Sequence, residues 1–260
     1  MTSGERPRWE VPAPAGGWAP PWPQVAELSR TISSEQWTLV GGLMVQVHAA
    51  RAGLPLTRPT VDVDMVLHIE TGAITFAGVR DRLEALGYCL CLPTGAGPVH
   101  RFMRGDEQVD VMVADHLAPR HRPKVAGREV FAVPAGTSAL RKTVDCIVEY
   151  DDGSIRLSVP DVLGALVLKG AAYKEDARDR ARHLDDAVVL ACAMNDPLGD
   201  SLRMEGSDRG RVRILAEALA AESHPSWLQV PEQFRNQGYH ALRRVVEEPK
   251  PVPPKRRLGR

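Results

Sequence analysis

The stretch W37-T-L-V-G-G-L-M-V-Q-V-H-A-A-R51, followed by T60-V-D-V-D-M-V-L67, joins two unlike features. An apolar run ends in two glycines, and the next apolar run carries two carboxylates one residue apart. Trp37 to Val40 reads as a strand, and Leu43 to Ala52 has the spacing of a helix. Val61 to Ile69 alternates as a second strand, with Asp62, Asp64 and Val66 on one face and Val61, Val63, Met65 and Leu67 on the other. Gly41 and Gly42 therefore stand at a strand-to-helix turn. A turn without side chains lets a ligand reach the backbone, and a helix N-terminus offers its free N–H groups to an anion.

Further along, V109-D-V-M-V113 frames a third aspartate, Asp110, between apolar residues in a strand suited to lie beside the first. Three carboxylates on one sheet face repel, and they stay ionised together only with cations among them. An oxygen-only donor set of this kind suits a hard cation, Mg2+ or Mn2+, which also binds phosphate. A phosphate at the glycine turn and metals at the aspartates together describe a site for a nucleoside triphosphate. The matching reaction is in-line displacement at phosphorus. Taken singly, Gly-Gly is usually a plain turn and Asp-x-Asp more often a solvated strand face or a salt-bridge site. Their fixed order within apolar frames favours a common role.

The rest of the chain places this constellation. Residues 1–23 hold many Pro and Gly, which predicts a leader without regular structure, disordered or lying on the body through Trp9, Trp18 and Trp22. An α/β domain with a β-rich extension is expected over 24–157 and a helical domain over 158–247. A basic Pro-broken tail, 248–260, is expected to be disordered. Within the first domain, Gln24 to Glu35 and Phe76 to Leu86 read as helices, the latter closed by Gly87. Tyr88 to Leu92, Val99 to Arg104 and Gln108 to Val113 read as strands, with R104-G-D-E107 as a hairpin turn. S158-V-P-D161 has the spacing of a capping box with Ser158 as N-cap, opening a helix to about Lys174. Ala177 to Met194 reads as a second long helix.

The chain has 260 residues, 43% hydrophobic and 25% charged, with 33 basic and 33 acidic side chains. That balance gives no global attraction to nucleic acid or membrane. Cys89, Cys91, Cys146 and Cys192 lack metal-site spacing and are expected to be reduced and buried, as in the cytosol. No apolar signal core or membrane-length run is present, so a cytoplasmic protein is expected.

The pattern V40-G-G42, D62-V-D-M65, V109-D-V111 resembles the nucleotidyltransferase superfold over about residues 37 to 115. The spelling Gly41, Gly42, His48, Arg58, Thr60, Asp62, Asp64 is similar to the AbiEii/AbiGii-type toxin nucleotidyltransferases. The resemblance implies an α/β (α+β) fold, a mixed sheet with flanking helices, followed by a mainly helical half. It implies catalytic and metal-ligating roles for Asp62, Asp64 and Asp110, the third positioning the nucleophile or a second metal. It adds Thr60 and Arg58 near the nucleotide, and a second signature in Lys169 and Asp186. Lys169 would meet the triphosphate, or else snorkel from a helix stripe. Asp186 would share that site, or else form a helix pair with Arg182 worth about 0.3 kcal/mol. The family often has Lys-Asp where this chain has Arg182-His183, and a Gly-Ser pair elsewhere in the superfold is Gly41-Gly42 here.

The implied enzyme moves a nucleoside monophosphate from an NTP to a hydroxyl and releases pyrophosphate. Its implied setting is a toxin–antitoxin or phage-defence system, with tRNA as acceptor and an antitoxin protein as partner. Arg203, Arg209, Arg211 and Arg213 are the candidate RNA-phosphate patch. A small-molecule acceptor of the antibiotic type, or a non-catalytic nucleotide- or partner-binding relative, are the other readings. His48 is expected to be a packed histidine, and His100 and Arg101, which precede the strand leading to Asp110, are lower-ranked candidates for facing an acceptor.

Overall fold

Alternating apolar residues put two strands side by side at the centre of the protein, and their register decides where the carboxylates lie. The computed structural model describes residues 6–56 and 58–248. The first half runs β1 (Arg8–Val11), α1 (Trp22–Thr31), β2 (Trp37–Leu39), α2 (Gly41–Arg51), β3 (Asp62–Leu67) and α3 (Phe76–Ala85). It continues with β4 (Cys89–Leu90), β5 (Arg101–Arg104), β6 (Glu107–Ala114), β7 (Lys124–Val125), β8 (Arg128–Glu129) and β9 (Ala132–Val133). A short helix α4 (Gly136–Leu140) precedes the hairpin of β10 (Thr143–Tyr150) and β11 (Gly153–Pro160). The helical half holds α5 (Val162–Glu175), α6 (Ala181–Cys192), α7 (Pro197–Leu202), α8 (Asp208–Ala218), α9 (Pro225–Leu228) and α10 (Glu232–Val246). This is the expected class, a mixed sheet flanked by helices and then a mainly helical half. Among the described residues no helix is long and apolar enough to cross a membrane.

The main sheet has the order β2-β3-β6-β5-β4, with β9 added to the end of β6. Strands β3 and β6 are parallel, and their register sets Asp62 opposite Gln108 and Asp64 opposite Asp110. Val63, Met65, Val109 and Val111 turn to the other face and are fully buried. That apolar face fixes the register, because a slip of one residue would exchange core for carboxylate. The turn at Arg104 to Glu107 joins β5 to β6 as the sequence predicts, pairing Arg104 with Glu107.

Three local expectations are corrected. A parallel strand, β1, adds to β10 within the Pro-rich leader. Pro7 and Pro12 flank this strand rather than interrupt it, so its ladder N–H groups remain available. The tryptophans fasten the segment: Trp9 takes the Arg51 guanidinium 4.0 Å from its ring centroid, and Trp18 Nε1 donates to the Glu149 carbonyl at 2.7 Å. Second, Ser158 is not a cap. It lies in β11, its hydroxyl 2.9 Å from that of Thr38, while Asp161 caps α5 by accepting from the Gly164 N–H at 2.9 Å. The β10 pairing extends through Pro160, which delays the helix start. Third, α6 begins at Ala181, not Ala177. The Asp176 carboxylate takes the backbone N–H groups of Arg178 (2.8 Å) and Asp179 (3.2 Å), holding 176–180 as a turn.

Cys146 and Cys192 are buried and free, but Cys89 and Cys91 are exposed, the first in the two-residue edge strand β4 and the second just beyond it. The basic tail over 249–260 lies outside the described residues.

Between the two halves, Lys142 Nζ lies 2.9 Å from Asp208 Oδ2, and the Ser138 hydroxyl donates to Asp208 Oδ1 at 2.7 Å. Both charged side chains are buried, tying α4 to α8. Breaking such a pair from one side leaves a buried charge alone. Asp208→Ala is expected to cost about 3 kcal/mol in urea unfolding, while transfer activity measured on the remaining folded protein stays at the wild-type level.

Candidate active site

Both glycines of the β2-to-α2 turn are required by what they touch. Gly41 has φ +71°, and a Cβ there would lie 1.9 Å from Asp64 Oδ2. At Gly42 a Cβ would meet Thr60 Oγ1 at 2.8 Å and the Arg58 guanidinium at 3.3 Å. The start of α2 thus presses directly onto the carboxylate strand. No side chain caps this helix, and the first amide N–H groups of a helix have no partner within it.

Asp62, Asp64 and Asp110 each bring a carboxylate oxygen within 4.8 Å of the others. Asp64 has its carboxyl pushed up to about 7, by burial first and then by the charges of Asp62 and Asp110. Lys169 and Arg182 pull it the other way without prevailing. The donor set is all carboxylate oxygen, which fits Mg2+ or Mn2+ and not a softer metal. Neutral donors orient it: Thr60 Oγ1 gives a hydrogen bond to Asp62 Oδ1 at 2.9 Å, and Gln108 Nε2 one to Asp110 Oδ2 at 3.1 Å.

The opposite wall comes from the helical half. Lys169, on α5, reaches Asp186 Oδ2 at 2.6 Å and the Gly41 carbonyl at 3.1 Å. Arg58 donates to Asp186 Oδ1 and Oδ2, both at 3.2 Å. Burial pushes the Asp186 carboxyl up, but Lys169 and Arg58 outweigh it and leave the pKa lowered. One carboxylate between two cations leaves a surplus positive charge on this wall. Asp186 does not pair with Arg182; that arginine binds Asp176 at 3.0 Å instead. Two cations from distant segments reach Asp186 first, which a helix-spacing rule does not register.

Nine of the residues singled out in the sequence, Gly41, Gly42, Arg58, Thr60, Asp62, Asp64, Asp110, Lys169 and Asp186, line one cleft of about 540 Å³. His48 is packed: it is buried, with Nε2 2.9 Å from the Pro160 carbonyl, and burial lowers its pKa to about 4. Of the four patch arginines, Arg203 and Arg209 are committed to other parts of the chain, and Arg211 lies 4.0 Å from Asp208 Oδ1. Arg203 binds the Asp161 and Asp200 carboxylates, and Arg209 donates to the Ser201 (2.9 Å) and Glu247 (2.7 Å) carbonyls. The partners lie close in space on loops and helix ends, so the arginine count alone overstated the free charge.

Sequence reasoning missed that Arg101 belongs to the carboxylate cluster. Its guanidinium forks onto Asp110, Nε to Oδ1 at 3.0 Å and a terminal N–H to Oδ2 at 2.9 Å. Counting back from the Arg104–Glu107 turn pairs residue 101 with residue 110, so the hairpin carried the signal. Asp176 and His183 also line the cleft, with His183 Nε2 3.1 Å from Asp176 Oδ2.

No family model matches the chain, and no curated protein does. Among solved structures it is similar to an antigenic nucleotidyltransferase-like protein from Paracoccidioides brasiliensis. The identity is 15%, the alignment covers 76% of this chain and 89% of that one, and the TM-score is 0.46. A likeness of that depth carries no functional weight.

Proposed function

We propose that the protein is a divalent-metal-dependent nucleotidyltransferase, moving a nucleoside monophosphate from an NTP to a hydroxyl acceptor. One observation carries this reading: three converging carboxylates lie against the uncapped start of α2, with no room for a side chain between them. A bound Mg2+ or Mn2+ supplies Lewis-acid polarisation of the reacting phosphate and charge neutralisation. Asp62 and Asp64 would hold it, with Asp110 completing the set. The α2 amides and the surplus charge of Lys169 and Arg58 orient the triphosphate. The acceptor hydroxyl gives up its proton to solvent as its oxygen bonds to the α-phosphorus, the bond to the oxygen bridging the β-phosphate breaks, and pyrophosphate leaves.

The resemblance to AbiEii-type toxins supports a tRNA acceptor and an antitoxin partner. A small-molecule acceptor is the second reading, favoured by a cleft in the drug-sized range and by the two committed arginines. Labelled NTPs with total tRNA, and separately with hydroxylated antibiotics, distinguish them. Label is expected on tRNA, with Mg2+ required. Label on the antibiotics alone selects the second reading, and label on neither removes both and leaves a nucleotide-binding relative.

A further inference from the structure

We propose that Arg101 is an internal counter-ion that latches Asp110, so that the third carboxylate joins the metal site only when the guanidinium is displaced. The inference rests on the metal-dependent reading above and concerns how that site fills. Residues 101 and 110 are direct partners across the β5–β6 pair, which puts both side chains on the carboxylate face. The fork engages both oxygens of Asp110, and Gln108 adds a third donor to Oδ2. Among the described residues Asp62 and Asp64 have no cationic partner of this kind; their polar contacts are with neutral groups or absent. The pair is asymmetric in exposure, since the Asp110 side chain is 8% exposed and that of Arg101 44%.

That asymmetry makes displacement feasible. A bidentate guanidinium–carboxylate pair is a strong local competitor for any cation approaching Asp110. Arg101, half in the open cleft, can swing away without carrying a buried charge through the core, whereas Asp110 cannot. With the latch closed, the cluster carries the charge of two carboxylates, which balances a single divalent ion. With it open, three carboxylates together with a triphosphate provide for a second. A triphosphate also gives the released guanidinium a new anionic partner, so nucleotide and second ion bind with positive coupling, each strengthening the other.

The experiment is an Mn2+ titration followed by electron paramagnetic resonance on the full chain, with and without a non-transferable α,β-methylene NTP analogue. Wild type is expected to bind one ion without the analogue and two with it. Arg101→Gln is expected to bind the second ion without the analogue, about tenfold more tightly than wild type, equivalent to removing a competitor worth about 1.4 kcal/mol. Arg101→Lys, which keeps the charge but not the fork, is expected to fall between them and serves if the glutamine variant does not fold. The double change Arg101→Gln with Asp110→Asn is expected to lose the second ion altogether. Should Arg101→Gln and Arg101→Lys bind Mn2+ like wild type, or more weakly, the latch is overturned while the metal site stands. Should wild type bind no Mn2+ in either state, the metal-dependent reading falls and the latch with it.

Discussion

Asp64→Asn is expected to lose roughly a thousandfold in nucleotide transfer, the several kcal/mol attributable to a metal-holding carboxylate, while becoming more stable than wild type in the metal-free state at pH 8. The two effects have one cause. Burial and the neighbouring Asp62 and Asp110 raise the Asp64 carboxyl from 3.8 to about 7. The folded protein therefore keeps this proton between about pH 4 and 7, while the unfolded chain has released it. Stability from this group is complete below pH 4 and is lost as pH rises through about 7. An asparagine mimics the protonated form at every pH, so that slope disappears. Because Asp64 is only partly buried against the cleft, the gain at pH 8 is set at about 1–2 kcal/mol, or roughly 2–8 °C in melting temperature. At pH 4 the variant and wild type should melt alike. Mg2+ should stabilise wild type at pH 8 and leave the variant largely unmoved. Melts at both pH values in EDTA and in Mg2+, beside a transfer assay, check the whole set. A variant that keeps transfer within tenfold of wild type would remove Asp64 from the metal site.

The sequence showed which residues belong together better than it showed how they are joined. Asp62 and Asp64 were legible because a strand has period two, and Asp110 because valines frame it. The glycine turn was legible because two glycines stand between an apolar run and a run with helical spacing. What stayed hidden depends on separations that no local pattern spans. Arg58 and Asp186 meet across 128 residues, as do Lys169 and the Gly41 carbonyl. Lys169 also read as a snorkelling side chain and Asp186 as half of a helix pair, because their partners come from the other half of the chain. The strand Arg8–Val11 was masked by the prolines around it, and its stability comes from β10 rather than from its own residues. Asp161 replaced Ser158 as the α5 cap for a similar reason. Sheet pairing, a tertiary effect, extended β11 past the point where local capping chemistry would have begun the helix.

Gly41→Ala is expected to cut transfer by at least about a hundredfold and to destabilise the protein, with two separable origins. The first is backbone: an alanine at φ +71° costs about 1 kcal/mol wherever it occurs. The second is contact: the new methyl would lie 1.9 Å from Asp64 Oδ2 and 2.7 Å from its Cγ, so the carboxylate must leave its position. Moving that carboxylate by even about 1 Å is enough to lose the hundredfold. Placing the same change on an Asp64→Ala background removes the contact and keeps the backbone cost. The stability loss should therefore shrink to about 1 kcal/mol there, and the difference between the two backgrounds measures how tightly the turn grips the carboxylate. Gly42→Ala, in ordinary helical backbone and facing Thr60 at 2.8 Å, should be milder, since Thr60 orients Asp62 without belonging to the carboxylate cluster. If Gly41→Ala costs the same in both backgrounds, the glycine serves the turn alone. The close approach of α2 to Asp64 would then have no part in holding the carboxylate in place.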